Sequence, residues 1–212
     1  MSTLFLNNVH KLLQECPMAR PRQYDYVELR AQVIRAARTL LQEGGPSALT
    51  ARALSKAVGV TAGTIYGQFG DLHAVLLEVN RDTFLELTQM IEALPDDAPE
   101  PWLYALAEGY VQFMLSRQGV WQGLFEGPRV TEKFPDWYMD AIHGLLARIA
   151  QPLAQLAPTI DANARAEELF VAVHGGVALA AVGRLDMVSS RSPHELARQA
   201  VRTMIRAITE KP

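Results

Sequence analysis

The stretch TARALSKAVGVTAGTIYGQF, residues 50–69, constrains the fold of this chain more than any other. Thr50 suits a helix N-cap, because its hydroxyl can satisfy an amide left free in the first turn. The helix it starts runs through Ala57 and then meets Gly59. A sharp turn there needs a left-handed backbone, which glycine adopts without a Cβ clash. Thr61 suits the cap of a second short helix through Gln68. Helices joined by so tight a turn cross closely, and Ser55, one turn before the glycine, is small enough to allow it. Leu54, Val58, Val60 and Ile65 supply apolar contacts, with Val33 and Ile34 of the preceding segment beneath. A small residue, a glycine four later and a β-branched residue six after that is helix-turn-helix spacing. An αα-corner with no binding role has the same pattern.

Gly63 makes a second demand. Glycine inside a helix costs about 0.5–1 kcal/mol relative to alanine. Placed beside Ala62 and Thr64, it makes one face of the second helix thin, so that another surface can come close. A major groove fits that description, since Thr64 then offers base edges a hydroxyl and a methyl. Thr61 and Tyr66 at the flanks carry hydroxyls suited to phosphate oxygens, which position a helix without reading sequence. The alternative for Tyr66 is a half-buried aromatic whose hydroxyl reaches water.

Elsewhere strand signals are almost absent and a 3.6-residue apolar period recurs, so the fold class is all-α. From Tyr26, Leu29, Val33, Ile34, Ala37, Leu40 and Leu41 make one face, and Gly44, Gly45 and Pro46 end that helix. Asp71 suits the cap of a long helix whose stripe runs from Leu72 to Leu94, and PDDAPEP at 95–101 breaks the chain. Further helices are expected at 101–117, 118–126, 131–156, 161–188 and 193–209, with Pro152 kinking or dividing the third. The expected organisation is an N-terminal extension at 1–22, a helix-turn-helix unit at 23–72 and a larger helical body at 73–212.

Charge is uneven along the chain. Residues 20–81 hold eight arginines and lysines against five acids, while the whole chain has a net charge of -3. A basic front on an acidic remainder suits one anionic partner and one unrelated task. Cys16 is the only cysteine, which excludes an internal disulfide and fits a reducing compartment. The opening MSTLFLNNVHKLLQE has no uninterrupted apolar run, and FVAVHGGVALAAVG at 170–183 is shorter than the roughly 20 residues of a membrane span. A cytoplasmic protein is therefore expected. No nucleotide-cradling loop, Cys/His metal cluster or His-Glu-X-X-His run stands in the sequence, so no catalytic residue, metal or cofactor is expected. The competing reading is a helical protein-interaction adaptor whose helix-turn-helix is degenerate.

Residues 26–80, above all TARALSKAVGVTAGTIYGQFGDLHAVL, resemble the signature of the TetR family of bacterial transcriptional regulators. The resemblance rests on the threonine-led helix, the Gly-Val turn, the Gly-Thr-aliphatic-Tyr segment and a phenylalanine before the cap of a long helix. It implies a homodimeric repressor that holds double-stranded DNA at a palindromic operator and is released by a small-molecule effector. By position it implies that Ala62, Gly63, Thr64 and Gln68 face bases and that Thr50, Thr61 and Tyr66 contact the backbone. Arg52 matches a position that reaches a guanine in some members; a phosphate contact or a solvated side chain are its alternatives. Where the family usually carries a lysine after the cap, this chain has Leu72, which removes one ionic contact per subunit. Arg20 and Arg22 resemble a basic lead-in able to enter the minor groove. Residues 1–17 are either an accessory helix or the product of an upstream start codon.

In the larger part, His174-Gly175 resembles the Trp-His-Gly subclass of TetR C-terminal domains, with Val173 in place of the tryptophan. The resemblance implies that the last two helices pair with those of a second copy. Ala172, Gly175, Gly176, Ala178, Ala180 and Ala181 permit close approach, and Val171, Val177, Leu179, Val182 and Leu185 add apolar surface. The middle of the chain is its most aromatic part. Trp102, Tyr110, Phe113, Met114, Trp121, Phe125, Trp137, His143 and His174 are the candidates for a pocket holding an apolar or aromatic effector. For each aromatic the alternative is plain core, and for His174 a satisfied core histidine.

Overall fold

The computed structural model describes residues 25–95, 97–125 and 134–210. Those residues form nine α-helices, in chain order α1 Tyr26–Gly44, α2 Ala51–Val58, α3 Ala62–Phe69, α4 Leu72–Glu92, α5 Pro99–Ser116, α6 Gln118–Phe125, α7 Asp136–Leu156, α8 Ala162–Ala181 and α9 Pro193–Thr209. Short 3-10 turns stand at Pro46–Ala48 and Leu185–Met187. The expected extension at 1–22, including Arg20 and Arg22, lies outside the described residues, as do 131–133 at the expected start of the third body helix.

Capping explains most of the helix starts. The Asp25 carboxylate accepts from the Val27 and Glu28 amides at 2.9 and 3.3 Å, and that of Asp71 accepts from Ala74 N at 2.7 Å. Ser192 and Glu195 form a reciprocal capping box at the start of α9, with Pro193 in the first helical position. Two expectations change. α8 stops at Ala181 rather than 188: Gly183, at φ +64°, turns the chain and donates its amide to Ala180 O at 3.0 Å. α7 continues through Pro152 undivided, with the proline ring buried.

Two apolar cores result. The first gathers Leu29, Val33, Ala37 and Leu41 of α1 with Leu54, Ile65, Val75, Leu76 and Val79. The second is built from α4 to α9 and includes Phe84, Leu87, Val111, Trp121, Leu153 and Val201. Each such Val or Leu, fully buried, contributes roughly 1.5–3 kcal/mol. α4 serves both cores, its first two turns facing the head and the rest the body. α6 does so as well, with Val120 in the head core and Trp121 and Leu124 in the body. The head core thus draws on residues beyond 72.

Candidate nucleic-acid interface and ligand cavity

The head is built around one turn. Gly59 has φ +76° and ψ 28°, and the Ser55 carbonyl accepts both the Gly59 and Val60 amides, at 2.9 and 3.2 Å. Thr50 Oγ1 accepts from Ala53 N at 3.2 Å, and Thr61 Oγ1 from Thr64 N at 3.1 Å, so both short helices are capped by their threonines. Leu54 and Ile65 are buried, which seats α2 and α3 on α1 and leaves one face of α3 outward.

That face carries Thr61, Gly63 and Tyr66, all exposed, with Ala62 and Thr64 half-buried. A Cβ at Gly63 would meet only Thr61 Oγ1, at 3.7 Å, so the protein's own packing does not require glycine there. Thr61 and Thr64 share a hydroxyl contact at 2.9 Å, and Tyr66 is 39% exposed. Arg52 and Lys56 of α2 are exposed, and among the described residues no carboxylate lies within ion-pair distance of either. The remaining basic residues of the head differ. Arg30 pairs with Glu78 at 2.8 Å, Arg35 with Glu28 at 2.9 Å and Arg38 with Glu86 at 2.6 Å. Gln68 also departs from the expected arrangement. Its amide nitrogen donates to the Tyr26 carbonyl and its oxygen is buried, so it tethers α3 to the start of α1 instead of standing on the outer face. Its partner lies 42 residues away in sequence, which no local pattern reveals.

Between α4, α5, α7, α8 and α9 lies a cavity of about 80 Å³, walled by Leu87, Met90, Leu103, Leu145, Phe170 and Val173 among others. Of the nine expected pocket residues only Tyr110 lines it. Trp121 Nε1 donates to the Tyr110 hydroxyl at 3.1 Å, and that hydroxyl lies 2.8 Å from His174 Nδ1. If the tyrosine proton goes to Nδ1, the neutral imidazole carries its own proton on Nε2. Burial holds the His174 imidazole below the usual histidine range, in keeping with an accepting Nδ1, and pushes the Tyr110 hydroxyl well above that of a free tyrosine. Phe125 and Phe170 close around His174 at ring distances of 4.4 and 5.2 Å.

The other expected residues are dispersed. Phe113 and Met114 are buried in the body core, Trp102 lines a separate polar recess, and Trp137 lies under the Arg81 guanidinium at 4.1 Å. His143 is exposed on α7. The cavity walls that sequence reading missed are mostly leucine, isoleucine and valine at helical spacing, which look like any other core positions.

On α8 and α9, Val171, Gly175, Leu179 and Val182 are exposed, and Ala172, Ala200 and Met204 border a surface groove of about 400 Å³. Val177, Ala181 and Leu185, expected at this surface, are instead buried, and a Cβ built at Gly176 would lie 3.5 Å from Leu196 Cδ1.

A capped helix-turn-helix head on an all-helical body with an apolar cavity among its helices defines the class: a DNA-binding regulator that responds to a ligand. Two family models agree. Residues 33–79 match the bacterial regulatory proteins of the TetR family, and residues 103–204 match a tetracycline repressor-like C-terminal domain. The chain belongs to the TetR family, whose members are transcriptional regulators rather than enzymes. Solved structures share the fold. A protein of unknown function from Rhodococcus sp. RHA1 is 24% identical with a TM-score of 0.69, covering 90% of this chain and 100% of that one. A TetR-family regulator from Streptomyces coelicolor is 17% identical with a TM-score of 0.64, covering 87% and 97%. RolR, solved with resorcinol, is 17% identical with a TM-score of 0.59, covering 88% and 95%. No curated protein matches the chain significantly. Among the described residues no helix is long and apolar enough to cross a membrane.

Proposed function

We propose that the protein is a homodimeric repressor that holds a palindromic operator and releases it when a small apolar molecule enters the body cavity. Residues 23–72 are the DNA-binding unit in this reading, and 73–212 the effector-binding and dimerisation unit. Ala62, Gly63 and Thr64 meet base edges, Thr50, Thr61 and Tyr66 meet phosphates, and Arg52 reaches a base or phosphate from α2. The observation that carries the reading is the outer face of α3: it is thin and uncharged, and Gly63 within it has no structural reason to be glycine.

Two copies joined through the exposed edges of α8 and α9 set two α3 helices about 34 Å apart, in successive major grooves. The ligand fits better in a conformer whose heads are wrongly spaced, and the difference in affinity between conformers is what frees the DNA. Support for the Trp-His-Gly subclass comes from His174-Gly175 and from the place of His174 in the polar relay.

The test is to select operator DNA from a random duplex pool and measure affinity for wild type and a Tyr66→Phe/Arg52→Ala double variant. The wild type is expected to enrich a two-fold symmetric site, and the variant to bind it at least tenfold more weakly, as two lost polar or ionic contacts of about 1 kcal/mol each imply. Equal binding by the variant overturns the contact assignment. A degenerate-head adaptor, which the ion pairing of Arg30, Arg35 and Arg38 favours, enriches no site.

A further inference from the structure

The cavity among α4, α5, α7, α8 and α9 presents a ligand with almost nothing but carbon. Of the residues that line it, only Tyr110 carries an oxygen or nitrogen in its side chain. That hydroxyl accepts from Trp121 Nε1 at 3.1 Å and lies 2.8 Å from His174 Nδ1, and neither partner lines the cavity. A hydroxyl has one proton and two lone pairs, so two such partners leave at most one site free. The backbone adds little. Apart from Met90 and Ile91, in the last turn of α4, the lining residues stand inside helices, where amides and carbonyls bond one another. A polar group carried into this space gives up its water without a matching partner.

Size is controlled at one place in the wall. A Cβ built at Gly109 of α5 would lie 2.8 Å from Met90 Sδ, closer than side chains stand, so the thioether rests against bare backbone there. Glycine is costly inside a helix relative to alanine, and here close packing accounts for it. The Met90 side chain also lines the cavity. With alanine at 109 it would have to shift, and the space beside it is the cavity. Gly109 thus keeps the cavity open by giving Met90 a notch to lie in.

At about 80 Å³ the cavity is about half the size of an engineered apolar one, roughly 150 Å³, that stays dry and binds benzene. A ring of that size enters only as the wall gives. Met90, unbranched and with three rotatable bonds, is the lining side chain best able to give.

We infer that the cavity takes a small hydrocarbon bearing no hydrogen-bonding group, and that Met90, seated at Gly109, sets how large that hydrocarbon is. That the hydrocarbon is also the effector rests on the regulatory reading proposed for this cavity.

The experiment uses the full chain without DNA, labelled at its methionine methyl groups, and three probes: benzene, phenol and naphthalene. Titrations give affinity, and the Met90 methyl resonance, identified by its loss in Met90→Leu, reports location. Benzene is expected to shift that resonance and to bind at least tenfold more tightly than phenol, whose hydroxyl loses water for no partner. Gly109→Ala should melt as cooperatively as the wild type and bind benzene at least tenfold more weakly. Met90→Ala should admit naphthalene, which the wild type refuses. Phenol bound as tightly as benzene, an unmoved Met90 resonance, benzene affinity unchanged by Gly109→Ala, or naphthalene treated alike by wild type and Met90→Ala overturns the inference. If benzene binds as expected but leaves operator affinity unchanged, the regulatory reading fails and this site stands. A compound that releases operator DNA without moving the Met90 resonance leaves the repressor reading standing and takes the effector out of this cavity.

Discussion

Gly59 and Gly63 stand four residues apart and answer to different constraints. Gly59 is fixed by its own backbone, since at φ +76° a residue with a Cβ is strained by roughly 1–2 kcal/mol. Gly63 is helical and open, and nothing in the chain would be displaced by a methyl. Gly63→Ala should therefore stabilise the free protein by about 0.5–1 kcal/mol, a rise in Tm of about 1–4 °C for a chain of this size. The same methyl stands between α3 and a base edge, so operator affinity should fall at least tenfold. Thermal unfolding beside a binding titration checks both signs, and a Gly63→Ala protein that keeps wild-type affinity removes this face from the interface. Gly59, Thr50 and Thr61 were legible in the sequence because turn and cap chemistry is local. Gln68 was not: a glutamine at the end of a recognition helix suits base reading, and only the position of Tyr26 reveals its inward tether.

Among the elements, α6 shows most clearly what a one-dimensional pattern leaves out. The sequence indicated a short helix at 118–126 and the structure has it at Gln118–Phe125, but periodicity could not say that it wedges between the two cores. Its glycines make the wedge possible in unequal measure. A Cβ at Gly119 would run into the carbonyl oxygen of Leu41, a backbone atom that cannot swing aside. A Cβ at Gly123 would meet the Leu76 Cδ1 methyl at 3.2 Å, the end of a side chain that can adjust. On the far side Gln118 and Gln122 donate to the Ala181 carbonyl at the end of α8, so α6 links α8 to the head. Gly119→Ala should cost about 1–3 kcal/mol or more by overpacking, a fall in Tm of about 2–12 °C. Gly123→Ala should change stability by less than about 1 kcal/mol, since the gain in helix propensity offsets a soft contact. Calorimetric melting of the pair decides it, and equal losses mean that α6 does not press on α1 as described. The apolar cavity was illegible for a related reason. Its walls come from α4, α5, α7, α8 and α9 at once, and each contributes residues that a helix would bury in any case.

For the molecule as a whole, the positive balance of residues 20–81 overstates what they can offer a phosphate backbone. Arg30 and Arg38 are bound to Glu78 and Glu86 of α4, and Glu86 also holds Arg117 at 3.0 Å, so much of that charge ties head to body. Leu72, where the family resemblance expects a lysine, packs against the head core. The sequence showed the substitution but not its compensation, because the apolar neighbours come from other helices. The free cations of the described head are then Arg52 and Lys56, four in a dimer. Each phosphate neutralised contributes about −0.9 to the slope of log affinity against log salt, so these four predict a slope of about −4. Leu72→Lys adds one cation per subunit and should steepen the slope by about 2. It should also lower Tm slightly, because an apolar contact with the head core is lost. Titrating operator affinity between low and physiological salt for both proteins measures the difference directly. If the lysine variant follows the wild-type line, the start of α4 does not approach the DNA backbone. The head would then have to sit on the duplex through α2 and α3 alone, at an angle unlike the one proposed here.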